Sequence, residues 1–205
     1  MSNGRLWKSD LLCTAFNVSQ LPQSDAPEIA FIGRSNVGKS TLINLLLGKR
    51  IAKVSSKPGK TRSVNFYRVE AEEEIVFSLV DLPGYGYAAR SRDERVGWWR
   101  LVNSYFNDRN IFFAAHLIDF RHGVLENDRE LIDWLDGMDM PRVAVFTKGD
   151  KISKGRRQGL YNKYMSDGLV SILPPRIASQ DDLETADKLR GDIIEIIESI
   201  KKLGC

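Results

Sequence analysis

The feature that most constrains this chain is a glycine-rich segment, residues 33–40, of the form G-x-x-x-x-G-K-[ST]. An apolar run precedes it at residues 28–32, and residues 41–46 carry the apolar spacing of a helix. Glycines let successive backbone N–H groups point at phosphate oxygens, and the helix N-terminus adds a favourable dipole. The pattern therefore predicts a strand, a phosphate-binding loop and a helix. By itself it separates neither adenine from guanine nucleotides nor a kinase from a hydrolase.

Short apolar runs alternate with helical patterns along the rest of the chain, as is typical of βαβ units around a mostly parallel sheet. The acidic stretch at residues 70–74 indicates a hairpin turn. We predict an α/β fold with a doubly wound, mostly parallel six-stranded sheet, one antiparallel strand and helices on both faces. Residues 1–26 are expected to form an N-terminal arm, and residues 27–205 one P-loop domain. The predicted strands are 28–33, 63–70, 75–81, 111–119, 142–147 and 169–177, and helices are predicted after Gly38, Ser91, Glu126, Ser153 and Asp181.

Side chains in and after the glycine-rich segment have the chemistry that a triphosphate and its metal ion require. Lys39 supplies a point charge for the β- and γ-phosphates, and Ser40 offers a hydroxyl to Mg²⁺. Residues 81–84 have the form D-x-x-G and follow an apolar run. Asp81 is placed to bind Mg²⁺ through water, and the Gly84 N–H to contact the γ-phosphate. The sequence therefore predicts a nucleoside triphosphate site with Mg²⁺.

The tetrapeptide Thr147-Lys148-Gly149-Asp150 follows another apolar run and has the form [NT]-K-x-D. A fixed carboxylate at Asp150 can accept hydrogen bonds from guanine N1–H and the 2-amino group. Adenine offers neither donor and would leave the carboxylate unpaired, which is costly. Lys148 would lay its aliphatic stem along the base. Residues 177–179 end the last predicted strand and either offer N–H groups to guanine O6 or form a plain loop.

A loop before the second predicted strand, residues 55–63, contains Thr61, which can complete the Mg²⁺ shell when GTP is bound. Such a loop is ordered by the γ-phosphate and released after hydrolysis. The predicted metal ligands are Ser40, Thr61 and Asp81, and the predicted catalytic residues are Lys39, Thr61 and Asn36. The predicted nucleotide-binding residues are Gly33, Arg34, Ser35, Asn36, Val37, Gly38, Lys39, Ser40, Gly59, Lys60, Thr61, Arg62, Ser63, Asp81, Leu82, Pro83, Gly84, Thr147, Lys148, Gly149, Asp150, Ile177, Ala178 and Ser179.

Three of these stretches, residues 33–40, 57–61 and 81–88, resemble the EngB (YihA/YsxC) GTPases, which belong with the Era- and TrmE-like GTPases. The resemblance spans nearly the whole chain, and residues 81–88, with their two tyrosines, are its most specific part. It implies a Ras-like fold and Mg²⁺-dependent hydrolysis of GTP to GDP. It also implies a role in assembly of the large ribosomal subunit and in normal cell division and septation.

Tyr85 stands where many GTPases have a glutamine that orients the attacking water, so we expect slow intrinsic hydrolysis. GTPases that resemble this one use an asparagine at the position of Asn36 to help bind K⁺. Asn36 therefore either supports a K⁺ ion that accelerates turnover or only shapes the loop. Arg34, Lys60 and Arg62 are alternative charge donors, as is a residue from a partner.

The net charge of +3 is small, but the cations are clustered. Together with the resemblance, this favours contact with ribosomal RNA, although solvated surfaces are the commoner reason for a single cluster. The first cluster is Lys49, Arg50, Lys53, Lys57, Lys60 and Arg62, the second Arg90, Arg92, Arg95 and Arg100, and the third Lys148, Lys151, Lys154, Arg156 and Arg157.

Two other functions stay open at this point. One is a cell-division or scaffold protein in which GTP binding is structural. The other is an ATP-using nucleotide kinase, against which the T-K-x-D tetrapeptide and the lack of an obvious lid argue. The chain has no apolar run long enough to span a bilayer, and Cys13 and Cys205 form no metal or disulfide pattern. We expect a cytoplasmic monomer with no membrane partner.

Overall fold

A computed structural model of the chain describes residues 7–24, 26–54, 63–71, 75–86, 92–107 and 109–202. Its centre is a seven-stranded sheet of order β1-β3-β4-β2-β5-β6-β7. The strands are β1 Lys8–Ala15, β2 Glu28–Gly33, β3 Val64–Glu70, β4 Val76–Asp81, β5 Ile111–Asp119, β6 Arg142–Thr147 and β7 Arg176–Ile177. The helices are α1 Lys39–Leu47, α2 Arg92–Asn107, α3 Glu126–Asp136, α4 Lys154–Ser166 and α5 Leu183–Lys202.

The predicted fold class is confirmed, since only β3 runs against the other strands and helices cover both faces. The sheet has one strand more than predicted, because residues of the N-terminal arm form β1 and pair with β3 along its length. The pairing shifts register between Leu11 and Cys13. An edge strand with such an irregularity lacks the regular alternation by which a strand is recognised in sequence.

The central strand β2 contributes side chains to two separate hydrophobic cores, because its side chains alternate between the faces of the sheet. Ile29 and Phe31 belong to the core beneath α1 and α5. Ala30 and Ile32 belong to the core beneath α2 and α3. All six residues of β2 are buried, as expected of a parallel strand covered on both sides.

Two local predictions were wrong. The last strand was predicted at residues 169–177, but only Arg176–Ile177 pairs with β6, because Pro174 and Pro175 have no N–H to donate to a ladder. On α2, the helical spacing of Val96, Trp99, Val102 and Phe106 predicts a core face. Val102 and Phe106 are buried as predicted, but Val96 and Trp99 are exposed. The buried positions include the set i, i+3, i+4, i+7 that starts at Trp98.

The carboxyl ends of the parallel strands bring distant residues to one edge of the sheet. Phe31 lies opposite Asp81, Gly33 opposite Leu117, and Asp119 opposite Thr147. Ligands of doubly wound α/β folds bind at this edge. Within the described ranges, no helix has the length and apolarity needed to cross a bilayer.

Candidate nucleotide-binding site

The glycine-rich segment forms a tight loop between β2 and α1. Gly38 has φ +111° and Asn36 has φ +61°, both in the left-handed region that glycine and asparagine tolerate best. A Cβ on Gly33 would lie 2.8 Å from the Leu117 carbonyl oxygen, so the position requires glycine. Among the described residues, no side chain caps the N-terminus of α1. The loop thus presents backbone N–H groups and a helix dipole at one place, which suits an anion.

Lys39, Ser40 and Asp81 meet at the phosphate end of this loop. The Lys39 ammonium lies 3.7 Å from Asp81 Oδ1, and the Ser40 hydroxyl donates to Asp81 Oδ2 at 3.2 Å. Burial raises the pKa of Asp81, and Lys39 and Ser40 only partly oppose it. Among the described residues, the buried Asp81 Oδ1 accepts no hydrogen bond.

This donor set fits a magnesium ion. A hydroxyl oxygen and a carboxylate oxygen converge, and Mg²⁺ is usually held by one or two carboxylates with substrate phosphates and water completing the shell. The part of the chain that the structure describes contains no cluster of three or more metal-ligating His, Cys, Asp or Glu side chains. Ser40 and Asp81 could therefore hold the ion together with a nucleotide. Thr61, the third predicted ligand, lies outside the described residues.

The D-x-x-G segment lies directly against the phosphate loop. The Ser35 N–H donates to the Tyr85 carbonyl at 2.9 Å, the Tyr85 N–H donates to the Gly33 carbonyl at 3.4 Å, and the Ser35 hydroxyl donates to the Gly84 carbonyl at 3.3 Å. A Cβ on Gly84 would lie 2.8 Å from Ser35 Cα, which explains why glycine is needed. The predicted residues Leu82 and Pro83 are buried beside them.

The side chain of Tyr85 turns into the protein. Its hydroxyl donates to Asp128 Oδ1 at 2.5 Å and lies 3.0 Å from His116 Nε2. The Trp98 indole N–H donates to the Pro83 carbonyl at 2.7 Å. The sequence did not reveal these three partners, because they lie far along the chain and belong to no recognised pattern.

At the base end, the predicted tetrapeptide is tied to the phosphate loop. The Thr147 hydroxyl donates to the Val37 carbonyl at 2.6 Å. The Lys148 ammonium donates to the Asn36 carbonyl at 2.6 Å and to Asp119 Oδ2 at 2.9 Å. Lys148 was also assigned to a basic cluster, but these bonds direct its charge into the site. The cluster therefore reduces to the cations from Lys151 onward.

Asp119 and Arg121 are site residues that sequence reasoning missed. Arg121 donates to Asp119 through its guanidinium, from Nε at 2.9 Å and from a terminal nitrogen at 2.7 Å. Burial alone would raise the pKa of Asp119, but the hydrogen bonds of Arg121 and Lys148 bring it well below its ordinary value. Its place at the carboxyl end of β5, next to β6, was the signal that could have found it.

Asp150 follows in a short 3₁₀ turn, Gly149–Lys151. The Gly149 N–H donates to the Ala178 carbonyl at 3.1 Å, and a Cβ on Gly149 would lie 2.5 Å from Ile177 Cγ2. The Asp150 carboxylate lies 2.9 Å from the Lys151 ammonium, which lowers its pKa. The carboxylate is therefore ionised at neutral pH and able to accept hydrogen bonds.

The remaining predicted residues have mixed outcomes. The Ala178 N–H donates to the Phe146 carbonyl at 2.7 Å, so contact with a base would fall to its neighbours Ile177 and Ser179. Arg34 Nε is buried and has no hydrogen-bond partner among the described residues. Ser63 is buried just before β3. Gly59, Lys60, Thr61 and Arg62 lie outside the described residues.

This fold and this edge of the sheet define a P-loop guanine-nucleotide-binding protein. Comparison with known proteins agrees, because residues 28–148 match the family model described as "50S ribosome-binding GTPase". The chain is 46% identical to the probable GTP-binding protein EngB of Thermosipho africanus over 87% of this chain and 90% of that protein. It is 37% identical to the EngB of Petrotoga mobilis over 93% and 97%.

Solved structures give the same result. A crystal structure of a probable GTP-binding protein EngB superposes with a TM-score of 0.64 and 25% identity, over 85% of this chain and all of that one. Aquifex aeolicus Era superposes with a TM-score of 0.69 and 23% identity, over 82% of this chain and 56% of that one, which shows the shared fold. The chain belongs to the EngB family of GTP-binding proteins and is a GTP-hydrolysing enzyme.

Proposed function

We propose that this chain is a Mg²⁺-dependent GTP switch that acts as a cytoplasmic monomer in assembly of the large ribosomal subunit, and that normal cell division and septation need it. The observation that carries the ribosomal part is a strongly basic helix, α4, directly after the guanine-recognition turn. The division role rests on the resemblance to the EngB family alone.

Phosphate binding and hydrolysis are assigned to the loop and to the carboxyl end of β4. Lys39 neutralises charge on the β- and γ-phosphates, while the N–H groups of residues 38–40, at the start of α1, hold the phosphate oxygens. Ser40 and Asp81 would hold Mg²⁺, with Thr61 as the proposed third protein ligand. The ion, when bound, withdraws charge from the β- and γ-phosphate oxygens.

Intrinsic turnover is proposed to be slow, because the residue after Gly84 cannot orient water. The Tyr85 side chain is 7% exposed, and its hydroxyl is bound to Asp128 inside the protein. Charge neutralisation and water positioning must then come from elsewhere. K⁺ supported by Asn36 is our proposed source within this chain.

Guanine recognition is assigned to Asp150, with Lys148 along the base. Lys148 lies between Asp119 and the Asn36 carbonyl, so its stem is held in one position before the base arrives. A preformed contact loses less side-chain entropy on binding. Adenine offers the ionised Asp150 neither an N1–H nor a 2-amino group.

Helix α4 supports an RNA partner because it is basic and contains no acid. No Asp or Glu occurs in residues 151–166. Lys154 and Arg156 lie exposed in the first turn, where cations oppose the helix dipole, and no side chain in the described part of the chain caps this end. A phosphate backbone would compensate that unfavourable charge. The cations of this surface are Lys151, Lys154, Arg156, Arg157 and Lys163.

Two exposed glycines add to the case for close approach by a partner. Gly155 and Gly159 lie one turn apart on α4. Apart from the adjoining backbone of the helix, a Cβ at either would meet no atom of the described residues within 4 Å. Each glycine costs a helix roughly 0.5–1 kcal/mol relative to alanine. The described residues give no packing reason for them, whereas a backbone lying along the helix would.

The comparisons support a ribosomal partner. The matching family model is described as ribosome-binding, and an Era structure of 23% identity was solved with nucleotides 1506–1542 of 16S ribosomal RNA. That RNA belongs to Era and does not identify the one bound here. The basic surface and the family description together support the large subunit as the partner.

The test is co-sedimentation of the full chain with purified large and small subunits, with GDP or a GTP analogue. We expect association with the large subunit that is stronger with the analogue and falls steeply with salt. Lys154→Glu/Arg156→Glu should weaken it about tenfold or more and leave GTP turnover unchanged. The matched control, Lys201→Glu/Lys202→Glu, makes the same charge change at the exposed end of α5 and should bind normally. The proposal would be refuted if the wild-type chain stayed in the supernatant both with GDP and with the GTP analogue.

A further inference from the structure

We propose that Tyr85 is a positioning residue that couples the γ-phosphate contact of Gly84 to helix α3 through its buried hydroxyl group. The inference rests on the proposed role of the Gly84 N–H. It goes beyond that role by assigning a mechanical connection from the nucleotide to β5 and α3, which none of the recognised sequence patterns includes.

The hydroxyl of Tyr85 occupies the centre of a small polar cluster that is closed to solvent. The hydroxyl carries one proton, and the 2.5 Å distance to Asp128 Oδ1 indicates that the hydroxyl donates its hydrogen bond to this carboxylate. The oxygen is therefore the acceptor toward His116 Nε2 at 3.0 Å, which assigns the ring proton to Nε2. His116 and Asp128 are 0% and 1% exposed.

Asp128 ties this cluster to the first turn of α3. Its Oδ2 accepts the Leu125 N–H at 2.8 Å, at the start of the helix. Burial alone would raise the pKa of Asp128, but the polar groups of His116, Tyr85 and Leu125 lower it, so the carboxylate is ionised. Because a buried charge needs its partners, α3 cannot move relative to Tyr85 without loss of a strong hydrogen bond.

The backbone of Tyr85 is fixed just as firmly at the other end. It exchanges hydrogen bonds with Gly33 and Ser35 of the phosphate loop, and Gly84 packs against Ser35 without room for a Cβ. The aromatic ring between the two ends is rigid. A displacement of Gly84 is therefore transmitted to the Tyr85 hydroxyl and from there to Asp128.

The next residue makes a second contact with α3. Gly86 has φ +72°, and a Cβ there would lie 2.9 Å from the Asn127 side-chain nitrogen. Residues 85 and 86 thus lie against neighbouring positions of α3. Two adjacent contacts thus connect this segment to α3, and the proposed coupling requires that the nucleotide and α3 act on each other through them.

The coupling predicts a selective effect of nucleotide state. GDP has no γ-phosphate and does not need the Gly84 N–H, whereas a GTP analogue does. Tyr85→Phe keeps the ring and removes only the hydroxyl. We expect affinity for the GTP analogue to fall about tenfold, the effect of one charge-assisted hydrogen bond, while affinity for GDP changes less than about threefold.

Tyr164→Phe is the matched control. Tyr164 is also buried, and its hydroxyl donates to the Phe120 carbonyl at 3.1 Å on the side of the sheet edge near α4. It should leave the ratio of the two affinities unchanged. Equal losses for GDP and the analogue in Tyr85→Phe, or no change in either, would overturn the proposal.

A double-mutant cycle and a spectroscopic signal separate coupling from simple loss of stability. Asp128→Asn should reduce the analogue affinity, and the effects of Asp128→Asn and Tyr85→Phe should not add, since both break one bond. The four tryptophans can be labelled with 5-fluorotryptophan, and Trp98→Phe assigns the resonance of Trp98, whose ring lies 6.3 Å from that of Tyr85. This resonance should shift on addition of the analogue in wild type and shift clearly less in Tyr85→Phe.

Gly84→Ala distinguishes failure of this inference from failure of the proposed function. Its Cβ would press on Ser35, so the variant should lose preference for the analogue. If it keeps the wild-type preference, the assigned γ-phosphate contact is wrong. If Gly84→Ala loses that preference and Tyr85→Phe keeps it, the contact stands and the connection through Tyr85 is wrong.

Discussion

The two ends of the nucleotide site are built on opposite principles. At the base end, the charged groups find partners within the protein: Lys148 bonds to Asp119 and to the Asn36 carbonyl, and Arg121 bonds to Asp119. The pKa of Asp119 is accordingly lowered. At the phosphate end, burial raises the pKa of Asp81, one of whose oxygens accepts no hydrogen bond among the described residues.

This contrast shows which end of the nucleotide site has its charged groups paired before a ligand binds. The base end is preorganised, so the guanine contact that we propose there needs no further rearrangement of charge. The phosphate end holds a desolvated carboxylate beside a buried lysine, an arrangement that phosphate and a cation would stabilise most. Substitutions at the phosphate end should therefore change turnover, and substitutions at the base end should change affinity and specificity.

The largest effect is expected from Asp81→Asn, which keeps the size of the side chain and removes its charge. GTP turnover at saturating Mg²⁺ should fall about 100-fold or more, because the metal ligand is lost. The measurement is single-turnover hydrolysis across a Mg²⁺ titration. Asp192→Asn is the control, since Asp192 pairs with Arg176 away from the phosphate loop. Turnover of Asp81→Asn at the wild-type rate would remove the basis of the contrast.

Asp150→Asn tests the base end and should have the next largest effect. We expect about 10- to 100-fold weaker GDP binding, because an amide presents a donor to guanine donors. Xanthine nucleotides, which carry a carbonyl in place of the 2-amino group, should gain affinity. Competition of GDP, XDP and ADP against labelled GDP measures both, with Asp167→Asn at the exposed end of α4 as control. An unaltered guanine preference would contradict the assignment of the base end.

The same contrast explains how much of the site could be predicted from sequence. Residues 33–40, 81–84 and 147–150 each form a contiguous pattern, and the predicted strand ends place all three at one edge. Contacts within and between these patterns follow from local backbone chemistry. The sheet, its antiparallel strand and most helices were predictable for the same reason, since apolar periodicity is a local signal.

Partners that lie far along the chain could not be predicted in this way. Asp119, His116 and Asp128 are brought to the site by strand pairing and by the packing of α3, and no sequence pattern marks them. Trp98 and Trp99 are adjacent and chemically equal, yet one is buried and the other exposed, because the packing of α2 decides the face. Edge strand β1 and the short β7 were misjudged because a register shift and two prolines interrupt the alternation.

Asp119→Asn should sharpen the distinction between the base end and the phosphate end. We expect the affinities for GDP and for a GTP analogue to fall equally, by about tenfold, because Asp119 orients Lys148 and not a phosphate contact. The pKa of Asp119 is lower in the folded protein than in the unfolded chain. Ionised Asp119 therefore stabilises the fold at any pH above its unfolded pKa, and this stabilisation is lost only as the pH falls through the folded pKa. The loss of thermal stability in Asp119→Asn should therefore stay constant from about pH 8 to about pH 5.

Asp182→Asn is the control for that experiment. Asp182 accepts the Thr185 N–H at 3.0 Å at the start of α5, away from the nucleotide. It should lower stability and leave nucleotide affinity intact. If Asp119→Asn behaves like Asp182→Asn, Asp119 serves the fold alone and the base end is less preorganised than we infer.

The smallest expected effect concerns Asn36, which joins the two ends. Its carbonyl accepts Lys148 of the base end, while its residue belongs to the loop that holds the phosphates. If K⁺ acts through this residue, hydrolysis should run several-fold faster in K⁺ than in Na⁺, on the scale of one added electrostatic contact. Asn36→Gly tolerates the φ of +61° and keeps the carbonyl, so it should abolish the difference between the two ions without a large change in affinity. Equal wild-type rates in K⁺ and Na⁺ would instead mean that Asn36 only shapes the loop, and that the charge needed for turnover comes from Arg34, Lys60, Arg62 or a residue of a partner.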